Sequence, residues 1–118
     1  KRIQVEQANV LVMGLTFKEN CPDLRNTKVI DIIHELKEYN INVDIVDPIC
    51  TNDDAMHEYN VSLTETPQKN HYDAIILAVA HDQFKAQGID SIKDYGKDVH
   101  VIYDLKCMVD KASVDMRL

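Results

Sequence analysis

Two cations and an aromatic ring stand close together in a polar stretch that follows the first apolar run of the chain. Lys18 and Arg25 can meet phosphate or carboxylate, Lys18 as a point charge and Arg25 through two parallel hydrogen bonds. Phe17 supplies a ring that can cover the face of a base or a sugar, so the three side chains suit a nucleoside diphosphate. The alternative is that the cations only balance neighbouring carboxylates at a solvated rim. Those carboxylates are Glu19, Asp23 and Asp104.

Two further polar residues follow apolar runs later in the chain. His81 comes directly after Ala74–Ala80, and Lys106 comes shortly after Val99–Tyr103. Because parallel strands end at the same edge of a sheet, we expect both side chains near Phe17. For His81 two interpretations stay open. It contacts a ligand or another domain, or it is a loop histidine bonded to a neighbouring backbone group.

The elements that must position these residues are short apolar runs that predict buried strands. Val10–Met13 and Ala74–Ala80 are apolar throughout, as in strands covered on both faces of a parallel sheet. Ile41–Val46 and Val99–Tyr103 predict two more strands. The order strand, helix, strand at the start of the chain is a βαβ unit. We therefore predict an α/β fold, a Rossmann-like three-layer sandwich with a mainly parallel sheet.

The helix of the βαβ unit is predicted from apolar residues spaced i, i+3, i+4 and i+7, with Asn26 or Thr27 as its cap. These apolar residues are Val29, Ile32, Ile33 and Leu36. Weaker elements are expected further along the chain. They are a helix over Asp53–Tyr59, an edge strand over Val61–Leu63, a short helix capped by Asp82, and a helical turn from Ile89 to Lys93.

A dinucleotide-binding domain needs more than this fold. Gly14 stands alone in the first turn, without the G-x-G-x-x-G that lets a backbone approach a pyrophosphate. Asp47 ends the second strand, where such domains hold the ribose hydroxyls, but the missing glycines argue against that role. We interpret the chain as Rossmann-like in shape and not as an independent module for NAD or coenzyme A.

Composition narrows the class of protein. The 118 residues carry a formal net charge of -7, which argues against a nucleic-acid surface. No stretch approaches the ~20 apolar residues of a membrane span, so we expect no membrane partner and a cytoplasmic protein. The chain starts at Lys1. We expect residues 1–8 to be a linker remnant and residues 9–118 to be one domain of a longer protein.

The cysteines do not form a metal-binding pattern. Cys21, Cys50 and Cys107 are widely spaced, without a histidine in ligand spacing, so we expect free thiols and no metal. Cys21 lies in the polar stretch and has two interpretations, an activated nucleophile or a packing thiol, of which packing is favoured. We assign no catalytic residue in this chain.

The polar stretch also carries a family resemblance. Residues 14–26 read GLTFKENCPDLRN and resemble the G-x-x-F-K-x-x-x-x-D-x-R segment that opens the C-terminal domain of the UDP-glucose/GDP-mannose dehydrogenase family. The wording FKENCPDLRNTKV is most similar to the branch that oxidises UDP-N-acetylhexosamines for bacterial surface polysaccharides. The resemblance covers nearly the whole chain. It continues through Val46–Pro48, Ala78–Phe84 and, more weakly, Tyr103–Lys106.

The resemblance implies an NAD-dependent enzyme of which this chain is one part. In that family an N-terminal domain binds NAD, a central helical region makes the dimer, and the C-terminal domain closes over the UDP part of the substrate. The C6 alcohol of the sugar is oxidised to the acid in two steps through a covalent cysteine. The choice among UDP-glucose and the N-acetylated gluco, galacto and manno sugars stays open, because the discriminating contacts lie mostly in the rest of the enzyme.

The same resemblance implies roles for single residues. Phe17, Lys18 and Lys106 would bind the UDP-sugar, and Arg25 would reach across the cleft to NAD. The expected partners are the UDP-sugar and the rest of a homo-oligomeric parent enzyme, and the fragment alone is expected to be inactive. The alternative is a docking module that completes an oligomer and binds no ligand of its own.

Overall fold

The computed structural model describes residues 7–106 and 114–117, in which helices and strands largely alternate. The elements are β1 (Asn9–Met13), α1 (Val29–Glu38), β2 (Asn42–Val46), α2 (Asn52–Tyr59), β3 (Tyr72–Leu77), α3 (Asp82–Gln87), α4 (Ile89–Lys93), β4 (Gly96–Asp104) and β5 (Met116–Arg117). The expected helices around residues 53–59 and 89–93 are confirmed as α2 and α4. Within residues 7–106 and 114–117, no helix is long and apolar enough to cross a membrane.

The strands form one sheet in the order β2-β1-β3-β4-β5, and each neighbouring pair is parallel. In β1, Val12 lies beside Ile45 of β2 on one side and beside Ile76 of β3 on the other. The two most apolar runs of the sequence therefore occupy the interior of the sheet, where their backbone groups pair on both sides. The predicted α/β fold with a Rossmann-like parallel sheet is confirmed.

Alternate residues of β1 point to opposite faces of the sheet and pack into two cores. Val12 belongs to the core under α1, together with Ile33 of that helix. Leu11 belongs to the core on the other face, together with Phe84 of α3 and Ile92 of α4. Each fully buried aliphatic or aromatic side chain of this kind contributes about 1.5–3 kcal/mol. Helices thus cover both faces, which gives the three predicted layers.

The first helix begins slightly later than the sequence predicts. Lys28 occupies the cap position of α1 and its side chain makes no capping hydrogen bond. The hydroxyl oxygen of Thr27 accepts from the N–H of Val29 at 3.2 Å, so Thr27 still satisfies a donor of the first turn. Ile30 is buried and Ile32 is only half-buried, so the buried face is rotated from the predicted stripe.

Two other local predictions are wrong in detail, and one short strand was not predicted. Val61–Leu63 is irregular and not an edge strand, although Val61 is buried in the core beneath α1 and Leu63 packs against the same core. His81, and not Asp82, occupies the cap position of α3, and Asp82 is its first helical residue. The two-residue strand β5 was not expected, since so short a segment shows no periodicity.

Gly14, at the end of β1, should be less tolerant of substitution than Gly88. Its φ is +106°, and a β-carbon there would lie 2.6 Å from the β-carbon of Val79. Gly14→Ala should therefore lower the free energy of unfolding by about 3 kcal/mol or more, measured by urea denaturation. Gly88→Ala is the matched control, because φ is +83° there but nothing lies within 4 Å. It should cost about 1–3 kcal/mol from backbone strain alone, because ψ is +152°, and equal losses would contradict the steric explanation.

Candidate functional site

The stretch between β1 and α1, residues 14–28, is called the polar loop below, and it folds back on itself at the carboxyl edge of the sheet. The N–H of Phe17 donates to the carbonyl of Asp23 at 2.7 Å. Asn20 and Asn26 each have a φ of +61°, a left-handed conformation that asparagine adopts more readily than most residues. The loop is therefore a compact turn over the ends of the strands.

A cavity of about 320 Å³ opens between the polar loop and the segments that follow β3 and β4. Its lining combines three apolar residues, one aromatic ring, two lysines and two other polar residues. They are Val29, Ala78, Val79, Phe17, Lys28, Lys106, Thr16 and Asn26. Phe17 is 52% exposed. An exposed ring beside two ammonium groups suits a ligand that has both a flat face and negative charge.

The cavity brings together some of the predicted residues and leaves others outside. Phe17 and Lys106 both line it, as the strand-end argument expects. Lys18 is exposed and is not part of the lining, although its carbonyl accepts from the hydroxyl of Thr16 at 3.1 Å. Lys28 lines the cavity and was not predicted. The signal for it was its place just before α1, because helices that follow strands begin at the ligand edge of such sheets.

Arg25 lies outside the cavity lining and forms a bidentate ion pair with Asp23. Its Nε and Nη2 lie 3.0 and 3.1 Å from the two carboxylate oxygens. The side-chain hydrogen bonds between the two residues lower the pKa of Asp23 and raise the pKa of Arg25 relative to their ordinary values. In this structure Arg25 balances a neighbouring carboxylate, which is one of the two interpretations of the sequence.

Asp47 is buried beneath the polar loop, and its carboxylate accepts four hydrogen bonds from protein groups. Oδ2 accepts from the N–H groups of Leu15 (2.7 Å) and Thr16 (3.1 Å) and from Nε2 of His81 (3.0 Å). Oδ1 accepts from the N–H of Ile49 at 2.8 Å. Burial opposes the charge, but the hydrogen bonds outweigh it and hold the pKa of Asp47 below its ordinary value. Both oxygens are thus engaged inside the protein and not directed at a ribose.

His81 is fully buried and lies under the polar loop, outside the cavity lining. Its Nδ1 accepts from the N–H of Asn20 at 2.9 Å. Its Nε2 lies 3.0 Å from Oδ2 of Asp47 and 3.2 Å from Oγ1 of Thr16. Of the two interpretations of His81, a ligand or domain contact and a hydrogen bond to a neighbouring backbone group, the second agrees better with this structure. The side-chain partners were not predicted, because they lie 34 and 65 residues away along the chain.

Comparison with known proteins gives the family of this fold and site. Residues 11–111 match the model of the UDP-glucose/GDP-mannose dehydrogenase family, UDP binding domain. The chain belongs to this family. The resemblance carried by residues 14–26 is thereby confirmed.

Named relatives agree with the branch that the sequence indicated. Two are UDP-N-acetyl-D-glucosamine 6-dehydrogenases, one from Pseudomonas aeruginosa with 58% identity and one from Salmonella typhi with 48% identity, each over 118 residues. Each match covers 100% of this chain and 28% of the relative, so the chain spans little more than a quarter of their length.

Solved structures of sugar-nucleotide dehydrogenases share the fold of this chain. A UDP-D-ManNAc dehydrogenase from Pyrococcus horikoshii superposes with a TM-score of 0.75 at 20% identity, over 98% of this chain and 26% of that one. An NDP-N-acetyl-D-galactosaminuronic acid dehydrogenase from Methanosarcina mazei gives a TM-score of 0.78 at 20% identity, over 92% of this chain and 22% of that one. These likenesses support the Rossmann-like architecture.

A second cavity, of about 490 Å³, lies beyond the end of β2, where dinucleotide-binding domains hold the ribose. Its lining residues are Val46, Asp47, Pro48, Cys50, Asn52, Leu63, Thr64 and Glu65. Among these described residues there are two carboxylates and no cation, so the cavity repels phosphate. In this member of the family the smaller cavity, with its two lysines, fits an anionic ligand better.

The described thiols differ in their surroundings. Cys50 is buried, and burial raises the pKa of its thiol to about 12, so it stays protonated at neutral pH and is a poor nucleophile. Cys21 is half-buried in the polar loop. Cys107 lies outside the described residues. Within residues 7–106 and 114–117, no group of three His, Cys, Asp or Glu side chains is placed to hold a metal ion.

The buried carboxylate of Asp47 should make the stability of the domain depend on acid pH. Because folding lowers the pKa of Asp47, its contribution is present above about pH 4, the usual aspartate pKa, and is lost as the pH falls through the folded value. The urea midpoint should therefore drop more steeply below about pH 4 in the wild type than in Asp47→Asn, which cannot titrate. At pH 7 the Asn variant should be less stable by about 2–3 kcal/mol, since buried donors lose part of their acceptor. Parallel acid losses in the two proteins would contradict this assignment.

Proposed function

We propose that this chain is the UDP-sugar-binding C-terminal domain of an NAD-dependent UDP-sugar 6-dehydrogenase, which oxidises a UDP-N-acetylhexosamine or UDP-hexose for surface polysaccharide biosynthesis. The observation that carries the proposal is the cavity of about 320 Å³ in which Phe17, Lys28 and Lys106 come together. Family membership supports it, and so do the two relatives named as UDP-N-acetyl-D-glucosamine 6-dehydrogenases.

Each part of UDP has a suitable partner in this cavity. Lys28 and Lys106 neutralise the diphosphate as point charges, and the ring of Phe17 covers the flat face of the uracil or ribose. Val29 and Val79 keep water from part of the ligand surface. The volume is at the lower end of the range of about 300–1,000 Å³ for ligand sites. The cavity therefore holds one part of a UDP-sugar, and another part of the longer protein covers the rest.

In the proposed reaction the C6 alcohol of the sugar becomes a carboxylate in two oxidations. NAD⁺ would supply the oxidising power, with two NAD⁺ each accepting one hydride for every sugar, and water would supply the second carboxylate oxygen. The nucleophile, the acid and base groups and most of the NAD site belong to the part of the longer protein outside this chain. This chain contributes binding at the UDP end, which holds the sugar in place without touching the reacting carbon.

The proposal also assigns the two loop cations that lie outside the cavity lining. Lys18 reaches the same UDP-sugar from the exposed side of the polar loop, and Arg25 binds NAD across the cleft. Arg25 can replace the carboxylate of Asp23 by a phosphate of the cofactor as its ion-pair partner, because a carboxylate and a phosphate both present paired oxygens to the guanidinium. Residues 1–8 then link the domain, residues 9–118, to the preceding part of a cytoplasmic, homo-oligomeric enzyme.

Titration of the 118-residue chain with UDP, followed by backbone amide NMR, tests the site. We expect saturable shifts at Phe17, Lys28 and Lys106 and much smaller shifts in α2 and α4. NAD should cause weaker changes, and UDP-N-acetylglucosamine together with NAD⁺ should give no NADH. An absence of shifts up to millimolar UDP would contradict ligand binding by this domain and favour a docking module that binds no ligand.

Removal of a single lysine charge from the cavity should weaken UDP binding. Lys28→Met and Lys106→Met should each lower the affinity about tenfold, or about 1.4 kcal/mol, because the diphosphate loses one point charge while the side-chain length is kept. Lys37→Met is the matched control. Lys28 occupies the cap position at the start of α1, whereas Lys37 is exposed in the last turn of the same helix and does not line the cavity. Isothermal titration calorimetry at two salt concentrations measures these affinities. If Lys28→Met binds UDP as Lys37→Met does, Lys28 is not part of the site.

A further inference from the structure

His81 lies beneath the polar loop and contacts it on both sides of Phe17 and Lys18. Its Nε2 is 3.2 Å from the hydroxyl oxygen of Thr16. Its Nδ1 accepts from the backbone N–H of Asn20 at 2.9 Å. The two residues that the proposed function assigns to the UDP-sugar therefore lie between two residues that bond to one buried imidazole.

These contacts require one tautomer of the His81 ring. A backbone N–H can only donate, so the Nδ1 that faces Asn20 carries no proton. The ring proton is therefore on Nε2, which donates it to the carboxylate of Asp47 at 3.0 Å. The hydroxyl of Thr16 donates to the carbonyl of Lys18, and its oxygen is then a second acceptor for the same ring proton. The neutral ring thus uses both of its nitrogens inside the protein.

Asn20 is held from two sides. Its N–H donates to His81, and its Oδ1 accepts from the N–H of Asp82 at the start of α3, at 2.9 Å. Its φ of +61° is a left-handed conformation that costs most L-residues about 1–2 kcal/mol. The two hydrogen bonds hold the loop in this turn, and the turn decides where Lys18 lies.

We propose that His81 is a positioning residue for the nucleotide site, whose neutral ring ties residues 16–20 to the ends of β2 and β3. The inference rests on the proposed function of Phe17 and Lys18. A loop that is already ordered binds its ligand more tightly, because less conformational entropy is lost on binding. His81 itself is 0% exposed, so it acts through the loop and not by contact with the ligand.

Two substitutions separate the contact of His81 with Asn20 from its contact with Asp47. His81→Asn places an amide oxygen near the position of Nδ1, so it still accepts from Asn20 but no longer reaches Asp47. His81→Gln places an amide nitrogen near the position of Nε2, so it still donates to Asp47 but offers Asn20 no acceptor. Both variants lose the ring that packs against Phe84, with ring centroids 5.5 Å apart, so both should lose similar packing energy.

We expect the affinity for UDP to separate the two variants although their urea midpoints fall together. His81→Gln should weaken binding about tenfold and His81→Asn about threefold or less, measured by calorimetry. In the free proteins, the amide shifts of Phe17 and Lys18 should move in the Gln variant and stay near the wild-type positions in the Asn variant. A purely structural role would lower both affinities in step with stability. Equal UDP affinities in the two folded variants would overturn the proposal.

Asn20→Ala gives a second test if either histidine variant fails to fold. It removes the contact with Asp82 and leaves the His81 ring in place. Asn60→Ala is the matched control, because Asn60 has a φ of +56° at the end of α2 and does not line the cavity. Both variants should lose stability, but Asn20→Ala alone should lose affinity for UDP. Equal UDP affinities of the two asparagine variants would overturn the proposal.

The tautomer can be tested without any ligand. Long-range proton–nitrogen NMR spectra of the wild type at pH 7 should show an unprotonated Nδ1 and a protonated Nε2 for His81. A protonated Nδ1 would overturn the proposal. If the wild type shows the expected tautomer but does not bind UDP, the proposed function fails, and the positioning role is then decided by the amide shifts of Phe17 and Lys18 in His81→Gln.

Discussion

The buried carboxylate of Asp47 holds together three parts of the carboxyl edge of the sheet. It follows β2, and it accepts from the backbone of Leu15 and Thr16 after β1 and from the ring of His81 after β3. A charge in this position loses its hydration, and that loss is tolerable only when hydrogen bonds replace the water. The donors around Asp47 do so, which is why its pKa lies below the ordinary value despite burial. The shape of the polar loop depends on these hydrogen bonds to Asp47, which replace its hydration.

The same arrangement takes the place of the glycine-rich turn of dinucleotide-binding folds. In those folds repeated glycines let the backbone approach a pyrophosphate at the start of a helix. In this chain Gly14 instead allows β1 to end against Val79, and the positive charge for an anion comes from the side chains of Lys28 and Lys106. The acid at the end of β2 is used inside the protein. Under the proposed function, one architecture thus supports a different kind of nucleotide site, as expected when function depends on the site more than on the fold.

The candidate site is open on one side, and its charged groups differ in how firmly they are held. Phe17 is half exposed beside the two cavity lysines, which suits a surface that a ligand and a further part of the protein cover together. Arg25 pairs with Asp23 at the solvent-exposed surface of the loop, where an ion pair contributes little and exchanges readily. The buried groups beneath the loop are held far more strongly, because no water competes for their hydrogen bonds. The rigid part of the site therefore lies below the ligand surface and the adaptable part lies on it.

The layers, the parallel sheet and the edge at which Phe17 and Lys106 meet were predictable from the residue pattern, because apolar periodicity reports which faces are buried and parallel strands end on the same side. The family followed from the same loop, since its residue types stand in one short segment. The residue pattern did not predict that Lys28 joins these two residues, or that His81 lies under the loop and contacts the carboxylate of Asp47. Those contacts join residues that are distant along the chain, and hydrogen bonds between distant residues leave no local pattern to read. The choice of partner for a buried polar group is made by the competition among all groups that folding brings together, and that competition exists only in three dimensions.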